Sequence, residues 1–207
     1  IGEKTGVARK NASDFIVALG DLKDPANPSM ERKATDVEVA GTFMHELGHN
    51  LGLGHGGLTT SGAPSDATYK PNYLSVMNYL FQLEGLTHGG QGGLIDYSHV
   101  KLLELNEYKQ LSEAAGLGTD AADYGTRWFC PGYVAGTDSP ALIANAQSSV
   151  NWNCSGTPKD ATGKWILSAI LPDTEINVWA CINGQGHATC DAVLAGSKDW
   201  GSLKLAG

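Results

Sequence analysis

Residues 45–55 read HELGHNLGLGH, placing three histidines and a carboxylate in one short stretch. His45 and His49 are four positions apart, so on a helix both imidazoles leave the same face. That separation lets one ring nitrogen from each reach a single metal ion. Imidazole nitrogens suit Zn²⁺, which they approach to about 2.0–2.1 Å. Gly52 can end the helix in a left-handed conformation and turn the chain back, so His55 can return as a third ligand. Three neutral histidines leave a fourth position open, as a catalytic zinc site requires. Glu46 follows His45 directly and can reach a water at the open position without ligating the metal. It is the candidate general base.

The full pattern, H-E-x-x-H-x-x-G-x-x-H, resembles that of the metzincin zinc peptidases. A second segment agrees. Ser75-Val76-Met77-Asn78-Tyr79 lies downstream, with Met77 22 residues after His55. It is similar to the metzincin Met-turn. The resemblance implies that Met77 forms an apolar floor beneath the three histidines. It also implies that Tyr79 stands beside the zinc, ligating it at rest and then swinging away to bond the reacting oxyanion. The likeness is strongest over residues 35–80 and is nearest to bacterial secreted types, of serralysin-like or pappalysin-like branches. It implies an α/β fold, with a twisted sheet packed on the zinc helix and an irregular lower part carrying His55 and the Met-turn. The activity implied is zinc-dependent endoproteolysis of protein or peptide substrates. A gluzincin, with a downstream Glu as third ligand, is disfavoured by His55. The other class to weigh is a non-catalytic zinc-binding adhesin or structural module, which would have no need of Glu46.

The elements that must position these residues are partly legible. Thr35-Asp36-Val37-Glu38 fits a capping box, with Thr35 as N-cap and Glu38 three residues on. An apolar stripe at Val37, Ala40, Met44, Leu47 and Leu51 predicts a helix from about Asp36 to Leu51. Ser13 to Leu19 holds a short apolar run read as a strand, Phe15–Leu19. The resemblance implies an antiparallel edge strand bordering the cleft; Thr5 to Arg9 is the upstream segment able to serve as it, which puts Gly6, Val7 and Ala8 on the upper rim. Asp21 to Lys33 is polar, carries two prolines and reads as a loop. Asn106 is a candidate cap for a short helix over Glu107–Ala115. WILSAILP and INVWACI, near the end of the chain, read as strands. Two strands make a marginal sheet, and metzincins place about five before the zinc helix, so the resemblance implies about 80–100 further residues before Ile1, cleaved but still associated or lost with a pro-segment.

Composition bounds the rest. The chain has 207 residues, 42% apolar and 17% charged, enough to bury a core. A formal net charge of −8 disfavours nucleic acid and anionic membranes as partners. No apolar run approaches the roughly 20 residues of a membrane span. The four cysteines, Cys130, Cys154, Cys181 and Cys190, show no C-x-x-C spacing and fall in the later part of the chain. They read as two disulfides in an oxidising compartment, hence a secreted, extracellular protein. Of three connectivities, Cys130–Cys154 with Cys181–Cys190 is the pairing expected. The organisation expected is a catalytic core over 1–125 and a disulfide-rich subdomain over 126–207 packed on it. His88, His99 and His187 share no ligand spacing. The tryptophans read as core or loop anchors. Acidic residues around Asp21, Asp24 and Asp96 make Ca²⁺ possible, without any EF-hand spacing.

Overall fold

The computed structural model describes residues 5–20, 22–24, 26–59, 61–106, 111–130, 139–147, 149–154 and 193–203. The fold is mixed. One α-helix, α1 (Asp36–Asn50), stands among small antiparallel sheets. Each sheet has two strands among the described residues.

Helix α1 starts as its capping box predicts. Glu38 N–H donates to Thr35 Oγ1 at 3.3 Å, and Thr35 N–H donates back to the Glu38 carboxylate at 2.8 Å. Arg32 adds a two-pronged ion pair to the same carboxylate, at 2.6 and 2.8 Å. At the far end Gly52 takes φ +92°, the conformation that stops the helix.

The buried face of α1 differs from the expected apolar stripe. Gly41, Thr42, His45, Glu46, Gly48 and His49 are buried, whereas Ala40 is exposed and Met44, Leu47 and Leu51 are half-buried. The reason is close approach. A Cβ on Gly48 would stand 2.3 Å from Met77 Sδ, so only glycine lets the Met77 segment press against the helix. Intrinsic helix propensity argues against glycine there by about 1 kcal/mol, and packing overrides it.

Strands β1 (Gly6–Ala8) and β2 (Phe15–Val17) pair antiparallel, Gly6 opposite Val17 and Ala8 opposite Phe15. This hairpin lies against α1. The sheet on the helix is thus two-stranded among the described residues, smaller than the resemblance implies. The segment read as a loop, Asp21 to Lys33, instead contains a hairpin of β3 (Lys23–Asp24) and β4 (Asn27–Glu31). The Asp24 carboxylate accepts from Ala26 N–H at 2.8 Å and shapes its turn.

Beyond the helix, β5 (Leu86–His88) and β6 (Gln91–Leu94) form a hairpin across Gly89-Gly90, both with positive φ. Strand β7 (Leu105–Asn106) follows, then β8 (Thr126–Trp128) paired with β9 (Ala141–Ile143). Asn106 is therefore the last residue of a strand, and the first turn of the helix it is expected to cap lies outside the described residues. In the described part of that span one helical turn is present, closed by Gly116 N–H donating to Ser112 O at 3.2 Å. Strand β10 (Val193–Leu194) returns to pair with β7.

Two clusters make the core. The larger gathers Phe81, Leu86, Leu117, Trp128, Trp152 and Leu194 with their neighbours. The smaller, Leu53, Tyr73, Val76, Met77 and Tyr97, lies under α1 and the histidines. Cys130 and Cys154 form a disulfide. Cys181, Cys190, WILSAILP and INVWACI lie outside the described residues. Among those described, no helix is long and apolar enough to cross a membrane.

Candidate metal centre

His45 and His49 project from adjacent turns of α1, and His55 comes back from the loop after Gly52. Their Nε2 atoms converge: His49 Nε2 lies 3.2 Å from His45 Nε2 and 3.1 Å from His55 Nε2. Candidate ligand atoms of all three fall within 4.8 Å of one another.

The opposite ring nitrogens decide the tautomers. His45 Nδ1 lies 2.8 Å from the Val76 carbonyl, and His49 Nδ1 lies 3.0 Å from the Leu53 carbonyl. A carbonyl only accepts, so each Nδ1 carries the proton and each Nε2 presents a lone pair. Burial, followed by the charges of His55 and His49, holds His45 well below the usual imidazole range. Burial also lowers His49. Neutral rings with facing lone pairs repel unless a cation lies between them. The donor set is therefore fitted to a metal ion, and nitrogen donors from histidine suit zinc.

The surroundings add three more groups. Tyr79 Oη lies 2.9 Å from His55 Nε2, its hydroxyl turned towards the cluster although the ring is half exposed. Loss of water and the charges of Glu46 and Asp66 push its pKa up to about 12, so it remains a donor. Glu46 is buried, and desolvation pushes its carboxyl up to about 7. Strand β1 walls it in. A Cβ on Gly6 would stand 2.4 Å from Glu46 Oε1, so glycine is the residue that lets the strand pass this close. Asp66 lies 3.8 Å from His55 Nδ1 and bonds Lys10 Nζ at 2.6 Å, at the rim.

Met77 is wholly buried beneath the cluster, next to Gly48 and in the same core as Val76, whose carbonyl orients His45. Asn78 holds this turn together, donating to the Lys70 and Tyr73 carbonyls at 2.7 and 3.0 Å.

The remaining sequence candidates separate from the centre. His99 pairs with Asp96 at 2.8 Å, and the His88 ring lies tilted against Tyr124, centroids 4.5 Å apart. Trp128 and Trp152 are core, Trp200 is exposed, and His187 lies outside the described residues. The Asp96 carboxylate is occupied by Tyr97 N–H, Trp200 Nε1–H and His99. Among the described residues the histidine trio is the group of three or more His, Cys, Asp or Glu side chains placed to share one metal ion, and neither Asp24 nor Asp96 belongs to such a group. Asp21 lies outside them. Sequence reasoning missed Asp66, Lys70, Ser197 and Asp199, whose contacts reach across up to 139 positions. No local pattern marks them.

Against known proteins, the model of the Peptidase M66 family, a family of zinc peptidases, matches residues 32–71. The match spans a fifth of the chain, including α1, Glu46 and the three histidines. No curated protein and no solved structure matches the chain.

Proposed function

We propose that the chain is a secreted zinc-dependent endopeptidase of metzincin type. The observation that carries this reading is the convergence of three histidine Nε2 atoms beside a buried carboxylate. The Peptidase M66 match over the same residues supports it. His45, His49 and His55 hold the metal. Zinc, when bound, polarises the scissile carbonyl and lowers the pKa of water to about 7.

The chain's own groups do the rest. Glu46, on the wall formed by β1, accepts the proton of the attacking water at a carboxylate oxygen. It then hands that proton to the leaving amine nitrogen. Tyr79 Oη donates a hydrogen bond to the substrate oxygen that gains charge as the amide carbon becomes tetrahedral. The substrate backbone lies along β1 as an added strand, so Gly6, Val7 and Ala8 border the cleft. A disulfide is compatible with an extracellular location.

Glu46→Ala tests the roles directly. The variant should keep stoichiometric zinc by metal analysis and lose turnover of a peptide library by about 10²–10⁴-fold or more. Loss of zinc along with activity would make Glu46 a ligand. Unchanged turnover would remove it from the chemistry.

A further inference from the structure

His55 differs from the other two ligands in how it is held. His45 and His49 ride on a helix, and each has its Nδ1 tied to a backbone carbonyl. His55 sits in Gly54-His55-Gly56-Gly57, a loop with almost no side chains to anchor it. Such a loop loses more conformational freedom on ordering than other sequence of its length. Close backbone packing on one side fixes part of it. A Cβ on Gly54 would meet Ser65 O at 2.4 Å, and one on Gly56 would meet Ala67 O at 2.1 Å. Gly56 N–H donates to Ser65 O at 2.9 Å.

The other side is held by side chains. Lys70 is 2% exposed, and its ammonium donates to Gly56 O at 2.5 Å and Ala195 O at 2.7 Å. It thus joins the residue after His55 to a segment more than a hundred positions away. Ser197 Oγ, in the same distant segment, accepts from Leu58 N–H at 3.0 Å. That segment is itself fixed. Ser98 Oγ donates to Ser197 O at 2.6 Å, and the buried Asp199 carboxylate accepts from Tyr73 Oη at 2.8 Å. Burying an ammonium is costly, and an apolar chain of similar length would fill the space more cheaply. What an apolar chain cannot do is bind two carbonyls from separate segments.

We propose that Lys70 is a positioning residue for His55, clamping its glycine loop onto the segment 193–203 so that Nε2 is preset for the metal. This rests on the reading of the histidine trio as a zinc site. The clamp lowers the ordering that binding must otherwise impose, so its effect falls on metal affinity and passes through His55.

A double-mutant cycle tests it. Zinc affinity is measured by competition with a chromophoric chelator for the wild-type chain, Lys70→Met, His55→Ala and the double variant. Lys70→Met should bind zinc about 10–100-fold more weakly, as loss of a group that supports a metal ligand does. The same change made on His55→Ala should cost nothing further, because its route is gone. Wild-type affinity in Lys70→Met, or an equal loss with and without His55, overturns the proposal. If near-ultraviolet dichroism shows Lys70→Met unfolded, Ser197→Ala takes its place in the cycle. Its loss should be several-fold and again absent without His55, and any other result overturns the proposal. A wild-type chain that binds no zinc, or binds it equally well as His55→Ala, overturns the zinc reading too. Failure in Lys70→Met alone leaves that reading standing.

Discussion

At the scale of single residues, the hydrogen bonds on the far side of each ring matter as much as the ligands. The Val76 and Leu53 carbonyls select the tautomer that turns a lone pair inward on His45 and His49. Tyr79 approaches the same point from the segment 75–79, 2.9 Å from His55 Nε2. Its hydroxyl is proposed to act on the charge that develops in the transition state, so Tyr79→Phe should lower kcat by about 10²-fold and move KM much less. Steady-state kinetics on one peptide reads both constants, and an unchanged kcat would make Tyr79 a packing residue. The histidines and Glu46 were legible in sequence because an i, i+4 pair on a helix is a local pattern. Lys70 and Asp199 were not, because what defines them is a contact with residues far away in the chain.

At the scale of elements, α1 connects the cap to the site. The Arg32 hydrogen bonds, and then those of Thr35, hold the Glu38 carboxyl down at about 2, against an ordinary 4.5. A folded-state pKa below the unfolded one gives stability that is present above pH 4.5 and lost as pH falls towards 2. Glu38→Gln should therefore be less stable than wild type at pH 6, with the gap closing by pH 2–3. Denaturant unfolding across that range measures it, and a gap independent of pH would contradict the assignment. The helix start and its glycine stop were readable from short-range chemistry. Its buried face was not, since apolar spacing points to Ala40 and Leu47 whereas close packing selects Gly41 and Gly48. Gly48→Ala gains helix propensity of about 1 kcal/mol but forces Met77 Sδ aside in a filled core, at about 1–3 kcal/mol. The net should be destabilising by about 1 kcal/mol in urea unfolding. A stabilised variant would mean that Met77 rotates freely.

At the scale of the whole molecule, the last described segment is woven into the first half of the chain. Residues 193–203 pair with β7, meet the His55 loop and place Asp199 under Tyr73. The Cys130–Cys154 bridge ties a second region to the larger core, and Cys154 packs directly against that cluster. Replacing both of these cysteines by alanine should lower stability by about 2–4 kcal/mol, and free thiols at both positions in the native protein would contradict the bridge. Pairing of Cys130 with Cys154 was an expectation among three connectivities. The β3–β4 hairpin was hidden by its two prolines. The central claim is that three histidines bind zinc and that this zinc is needed for peptide-bond hydrolysis. The most direct measurement is turnover of a peptide library by the native chain, after chelation, and after zinc is restored. The account predicts activity, loss and recovery, in that order. Full activity in metal-free protein would contradict it, and so would zinc-loaded protein that cleaves nothing, the outcome expected of a zinc-binding adhesin.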